Sequence, residues 1–238
     1  MKYKKVHLAL LAFLGLNLFS STAHAEWGVS IGMANQKSQY KGISNKPTII
    51  PDITYRESGD KHGNKVASYD LILTSKNAGF SEKDSSVFKG MKGRKSSLDI
   101  GGEIIFNSPY IPLKFEASKD FRASKGFQAS AVLGGLSPNN TGDLQIRPYA
   151  GVRYQSAKVI QYHYGVRSNE VTAKRKVYKG KSAITPFLGV AAVTNLSKNM
   201  QLYGDIAFEK RATSIANSPL VNSKKNDLKA SINLVYWF

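Results

Sequence analysis

From residue 26 to the end of the chain, apolar and polar residues alternate with a period of two, the pattern of a β-strand with one apolar face. Trp27, Val29, Ile31 and Met33 alternate with Gly28, Ser30, Gly32 and Ala34, and Met200, Leu202, Gly204, Ile206 and Phe208 with Gln201, Tyr203, Asp205, Ala207 and Glu209. The same alternation runs through Leu98–Phe106 and Leu144–Tyr154. At the end, Leu228, Ala230, Ile232, Leu234, Tyr236 and Phe238 share one face, and Lys229, Ser231, Asn233, Val235 and Trp237 share the other. A one-residue slip would exchange the faces, so the pattern specifies which side is apolar. The periodicity predicts strands over 26–34, 48–56, 66–74, 97–106, 111–119, 127–136, 144–156, 183–194, 199–210 and 228–238. Pro51, Pro112, Pro148 and Pro186 each lack a ladder donor and blur individual boundaries.

The connections alternate in length. Those at 35–47, 75–96, 157–182 and 211–227 are long, and 120–126 belongs to the same set by parity. Those at 57–65, 107–110, 137–143 and 195–198 are shorter, with turn signals such as Asn107-Ser108-Pro109 and Ser137-Pro138-Asn139-Asn140. Short periplasmic turns, long external loops and both termini inside are the rule for outer-membrane barrels, and ten strands satisfy it. A strand ending the chain on an aromatic, here Phe238, fits the closing strand that the outer-membrane assembly machinery reads. An exported β-sandwich would alternate too, but does not require strands near ten residues or a terminal Phe. The expected fold is therefore all-β, a transmembrane antiparallel up-and-down barrel of about ten strands. Twelve would result if Ile160, Tyr162, Tyr164 and Val166 opened another pair within 157–182.

The first 25 residues differ in kind. Three lysines within Met1–Lys5, an apolar run over Val6–Ser20 and the small residues of Ala23-His24-Ala25 make a secretory leader rather than an anchor helix. Domain organisation is thus read as signal peptide 1–25 and barrel 26–238. The chain contains no cysteine, which removes disulfides, thiolate metal sites and a cysteine nucleophile from consideration.

The formal charge of +18, three units of it in the leader, first suggests nucleic acid. Export and the location of the charges argue otherwise. The long connections carry +3, +4, +1, +6 and +2 in chain order, so essentially all of the remaining +15 lies in predicted external loops. A basic rim faces the phosphate-rich lipopolysaccharide layer, with attraction that salt screens. Arg94, Lys95, Lys174, Arg175 and Lys176 are the candidates for anionic surface contacts, and the loops as a whole read as solvated.

The strands' polar faces hold Asp99, Glu103, Glu116, Arg147, Arg153, Asp205 and Glu209, together with Lys114 and Lys229. In a barrel these point inward, as a selective channel lining or as a paired structural network in a filled lumen. Ten strands enclose little more than the eight-strand case, which favours a filled or narrowly wet interior. Catalytic and metal chemistry find little support. His62 lies in a turn-like Gly59–Asn64 segment, and His163 between Tyr162 and Tyr164 reads as an interfacial or solvent-facing residue without a nucleophile motif. No cofactor, metal or nucleic acid is expected, and the barrel is expected to be monomeric.

Four segments in order resemble the MipA/OmpV family of Gram-negative outer-membrane proteins. They are Ser38–Ser44 followed by Pro47 and Pro51–Tyr55, Arg147–Val152, Tyr162–Val166 and Ser218–Val221, with the terminal Phe238. Ile43 before Ser44 and His163 in place of an aromatic depart from the family pattern. The resemblance implies an outer-membrane barrel and brings no catalytic residues. For function it implies an envelope scaffold linking murein hydrolase and synthase enzymes, a surface-interaction protein, or a narrow porin as the alternative; a lipid hydrolase, weighed from the histidines and not from the resemblance, stands as a distant third.

Overall fold

The structure is a computed structural model that describes residues 25–36, 39–43, 48–58, 66–106, 111–136, 144–173, 175–222 and 225–238. The predicted leader, the turn carrying His62, the Asn107-Ser108-Pro109 and Ser137–Asn140 turns, and Lys174 lie outside the described residues. Ten strands form one closed antiparallel barrel in simple up-and-down order. They are β1 (Ala25–Gln36), β2 (Thr48–Ser58), β3 (Val66–Thr74), β4 (Asp99–Phe106), β5 (Leu113–Asp120), β6 (Phe127–Gly134), β7 (Gln145–Gln155), β8 (Ala183–Asn195), β9 (Met200–Lys210) and β10 (Asn226–Trp237). No boundary departs from the predicted one by more than two residues. Pro51, Pro148 and Pro186 sit inside paired strands on exposed outward positions, while Pro112 precedes β5.

The alternating pattern sorts as expected. Ile31, Leu71, Ile100, Leu133, Leu188, Ile206, Ile232 and Leu234 are exposed on the outside, the apolar band of an outer-membrane barrel. The inward positions are mostly polar or small, with Ile105, Val132, Phe187, Val193 and Val235 as apolar exceptions on the periplasmic side. Among the described residues no helix is long and apolar enough to cross a membrane, so the spanning is left to the strands. β1 and β10 close the barrel through nine register pairs, from Gly28↔Trp237 to Gln36↔Lys229. Glycine is required at the first of these. A Cβ on residue 28 would lie 2.7 Å from the Trp237 ring, which turns into the lumen and carries the Arg56 guanidinium 4.5 Å above it.

The buried apolar core lies above the barrel, not inside it. The connections after β1, β3, β7 and β9 pack together at the end that the loop-length rule makes extracellular. Tyr40, Phe80, Phe88, Met91, Ile160, Tyr164, Val166, Ile215, Leu220 and Val221 form one buried cluster there. Phe80 and Phe88 stack at 4.2 Å, Tyr40 meets Phe80 edge-on at 5.0 Å, and the Tyr40 and Tyr164 rings lie tilted at 5.8 Å. The expectation of solvated loops is therefore corrected: the loops fold into a cap.

The 157–182 segment resolves toward ten strands. Its start is helix α1 (Ala157–Tyr164), which buries Val159, Ile160, His163 and Tyr164 on one face. Positions three and four apart share a helical face, so the pairs Val159–His163 and Ile160–Tyr164 decide for helix over the alternation of Ile160, Tyr162 and Tyr164. Gly165 ends the helix by donating its N–H to the Gln161 carbonyl at 3.1 Å. Val166 then makes a single bridge with Tyr178. A second short helix, α2 (Thr213–Ala216), lies in the last loop and buries Ile215.

Candidate functional site

Polar residues at alternate strand positions leave two adjoining cavities in the lumen, of about 510 and 570 Å³. The lower chamber reaches the periplasmic rim at Leu136, Val193 and Trp237. The upper chamber lies under the cap, with Gln39, Tyr40, Ala78, Tyr164 and Ile215 in its roof. Glu116, Arg153 and Asp205 line both and mark where they meet.

Six of the seven predicted lumen residues fall on these walls or beside them. Glu103 is bridged by Lys114 at 3.2 Å, and Glu116 by Lys76. These two carboxylates are register partners on β4 and β5, so the lysines offset a direct like-charge pair. Glu209 takes Arg153 at 2.9 Å and Lys229 at 2.8 Å. Asp205 accepts from the Tyr149 hydroxyl at 2.5 Å, and among the described residues it has no ion pair. Asp99 is fully buried and accepts from the Gln128 amide at 3.1 Å. Arg147 differs: it shares the inward parity but sits exposed near the periplasmic end, with no hydrogen bond or ion pair among the described residues.

Several lumen residues escaped the sequence reading. Arg56 and Asp70 are joined by two-pronged hydrogen bonds, the shortest 2.8 Å, and Asp52 accepts from Thr54 at 2.8 Å. Parity within β2, where Asp52, Thr54 and Arg56 alternate with Pro51, Ile53 and Tyr55, carried the signal. The uncharged residues left no comparable trace. Gln155 donates to Gln128 at 2.9 Å and to the Asn77 side-chain oxygen at 3.3 Å, which continues the chain from Asp99 into the cap. The Asn77 amide nitrogen and the Thr185 hydroxyl, on two residues beside the upper chamber, are buried without a partner among the described residues. The upper chamber is otherwise balanced in charge. Glu116, Asp205, Glu209 and Asp227 face Lys76, Arg153, Arg211 and Lys229, and Arg211 holds Asp227 at 3.0 Å.

The predicted anionic contacts divide. Lys95 and Lys176 are exposed on the cap. Arg94 and Arg175 are only 4% and 5% exposed and turn inward, a correction to their placement on the rim. Arg94 grips both carboxylate oxygens of Glu170 at 3.0 and 2.9 Å and donates to the Tyr162 carbonyl at 2.8 Å. Arg175 donates to the Glu170 carbonyl at 2.8 Å and to that of Lys89 at 3.0 Å. Two cations thereby tie the loop after β3 to the loop after β7. Burial alone would raise the Glu170 carboxyl, but the Arg94 hydrogen bonds and charge outweigh it and hold it below the usual range.

His163 is buried to 1% rather than solvent-facing, and neither ring nitrogen has a side-chain partner among the described residues. Burial holds its imidazole down to about 4, with Asp120 pulling upward and Arg94 downward. No Ser or carboxylate contacts the ring as a triad requires.

The family model described as MltA-interacting protein MipA matches residues 28–238. Outer membrane protein OmpV of Vibrio cholerae is 25% identical over 216 residues, covering 85% of this chain and 83% of its own. Outer membrane protein Omp26La of Vibrio anguillarum is 24% identical over 176 residues, covering 73% and 66% respectively. Among solved structures, the KdgM porin aligns over 88% of this chain and 98% of its own, at 7% identity and a TM-score of 0.40.

Proposed function

The chain belongs to the MipA family of outer-membrane β-barrels, and from that premise we propose that it is a narrow, capped conduit for small polar solutes. The observation that carries this reading is the pair of adjoining cavities with charged residues on their walls, which meet at Glu116, Arg153 and Asp205 and stop beneath the loop cap. A lumen filled as a structural network would have no reason to leave about 1,000 Å³ beside its charged residues, whereas water and small solutes occupy such space readily. The cap acts as the gate, held by the buried Arg94–Glu170 pair between two loops. Breaking a buried pair by removing one partner costs about 3–5 kcal/mol, enough to shift a closed cap toward open forms. In planar bilayers the native barrel should conduct in small, infrequent steps. Glu170→Ala should raise the open fraction several-fold, and a barrel silent in both forms rejects the conduit.

A second reading draws on the matched family's description as interacting with MltA. In this reading the barrel holds a murein enzyme at the inner face of the outer membrane, through periplasmic turns that are short in sequence. Crosslinking in intact envelopes followed by partner identification tests it, and recovery of no murein enzyme counts against it. Both readings make the barrel a non-enzymatic, monomeric protein. The sealed His163, with no nucleophile against its ring, supports that against a lipid hydrolase.

A further inference from the structure

We propose that the outer wall of the barrel, at the extracellular ends of β4 to β7, is a docking site for one lipopolysaccharide molecule. Its phosphates meet a cluster of four cations, and its acyl chains lie along the wall below. The site is outside the lumen and independent of the conduit reading. Among the described residues, Lys119 and Lys210 are the cations on the outward faces of the ten strands, and both stand at the ends nearest the cap. Lys119 is exposed between its register partners Ile100 of β4 and Phe127 of β6. A lysine on the lipid face is costly at the bilayer midplane and nearly free at the interface, so Lys119 marks the headgroup level.

Three more cations gather there. The loop after β5 contributes Arg122 and Lys125, and α1 contributes Lys158, all exposed. None of the four forms an ion pair among the described residues. The one acid between Ala117 and Ala129 is Asp120, which is buried and spent on its own loop. It accepts from the N–H groups of Arg122 at 2.9 Å and Ala123 at 3.0 Å and from the Ser124 hydroxyl at 2.7 Å. The loop is also seated on the start of α1. Phe127 donates its N–H to the Ser156 hydroxyl at 2.9 Å, and a Cβ on Gly126 would lie 2.6 Å from the Val159 side chain. Lys158 is therefore held next to Lys125.

Below the cations the wall is apolar. Gly102, Ala117 and Ala129 adjoin in the register, with Phe115 next along the outer face of β5 and Tyr154 opposite Ala129 on β7. Phe115 and Tyr154 are both exposed, and the Tyr154 ring lies 6.4 Å from that of Phe127. Charge selects the occupant of this surface. A phospholipid brings a single phosphate, which would leave most of four unopposed cations without a partner. Lipopolysaccharide carries several phosphates above several acyl chains, so it meets the cluster and the wall together. Lysine and arginine bind phosphate oxygens through charge-assisted hydrogen bonds, the stronger kind.

The test uses the full barrel in detergent at about 0.15 M salt, where exposed charges more than about 8 Å apart are screened and contact pairs persist. The probes are bisphosphorylated lipid A, its dephosphorylated form and phosphatidylglycerol, with binding counted by native mass spectrometry. Lipid A should bind saturably, one per barrel, and the other two more weakly by several-fold. Lys119→Gln, Arg122→Gln, Lys125→Gln and Lys158→Gln combined should weaken lipid A at least about tenfold, the scale of lost charge-assisted hydrogen bonds. The pair Arg122→Gln and Lys158→Gln, which leaves every strand untouched, should weaken it several-fold, and heat-shifted electrophoresis reports that each barrel is folded. Lys210→Gln, four strands away, and Lys176→Gln with Lys179→Gln on the cap should change little at this salt. No saturable lipid A binding, an unchanged affinity in both site variants, an equal loss in either control, or phosphatidylglycerol bound as tightly as lipid A overturns the proposal.

Discussion

At the residue scale, the most informative side chain is His163, because its neutral form is built into the cap. Its folded value of about 4 lies below the ordinary 6.5, so the stability it contributes is fully present above pH 6.5. That stability is lost as pH falls from 6.5 through 4, up to about 3 kcal/mol on full protonation. Glu170, also depressed, acts in the same direction at the acid end of this window, since its pair with Arg94 fails as the carboxylate protonates. Amide hydrogen exchange in the loops after β3 and β7, corrected for intrinsic rates, should therefore accelerate about a hundredfold between pH 7 and 4. Replacing His163 by Phe should remove most of that acceleration, and an unaltered pH profile refutes the role of the ring. None of this was legible in the sequence. A histidine between two tyrosines looks the same whether it faces water or a packed cap, and only the helical spacing of Val159, Ile160, His163 and Tyr164 hinted at burial.

At the element scale, strand order and facing were legible almost throughout, because each strand must present one face to lipid and the other to the lumen. The test belongs on the closing strand. Ile232 is exposed on β10 opposite Met33, at the middle of the β1–β10 register. Ile232→Lys should destabilise the barrel by about 2–4 kcal/mol near the bilayer midplane, read as a lowered urea midpoint in lipid vesicles. The same change at Asn233, one residue along and facing inward, should cost much less, and equal costs would mean the facing is wrong. The segment left open was 157–182, where Ile160, Tyr162, Tyr164 and Val166 fit a period of two as well as part of a helix. Short apolar runs of this length fit either period, and packing against the cap decided it.

At the scale of the whole molecule, charge separates into an inner balanced set and an outer basic one. Arg94, Arg175 and Arg211 are consumed inside the cap and its junction with the barrel, while Lys92, Lys95, Lys176, Lys179 and Lys181 stay exposed. Neutralising Lys95, Lys176 and Lys179 together should weaken binding to lipopolysaccharide at low salt and leave little difference at high salt. Unchanged low-salt binding would reduce the rim to a solubilising device. The sequence by itself determined the barrel: its antiparallel order, facing, parity of loops and turns, and the sign of the outer charge follow from period-two alternation and loop length, with ten strands against twelve left to the packing of the 157–182 segment. Tertiary structure alone decided the rest. Whether loop residues face water or one another depends on which of four distant connections meet above the barrel, and no local period encodes that. Only the same meeting determines that Arg94 finds Glu170 and that the lumen keeps two chambers.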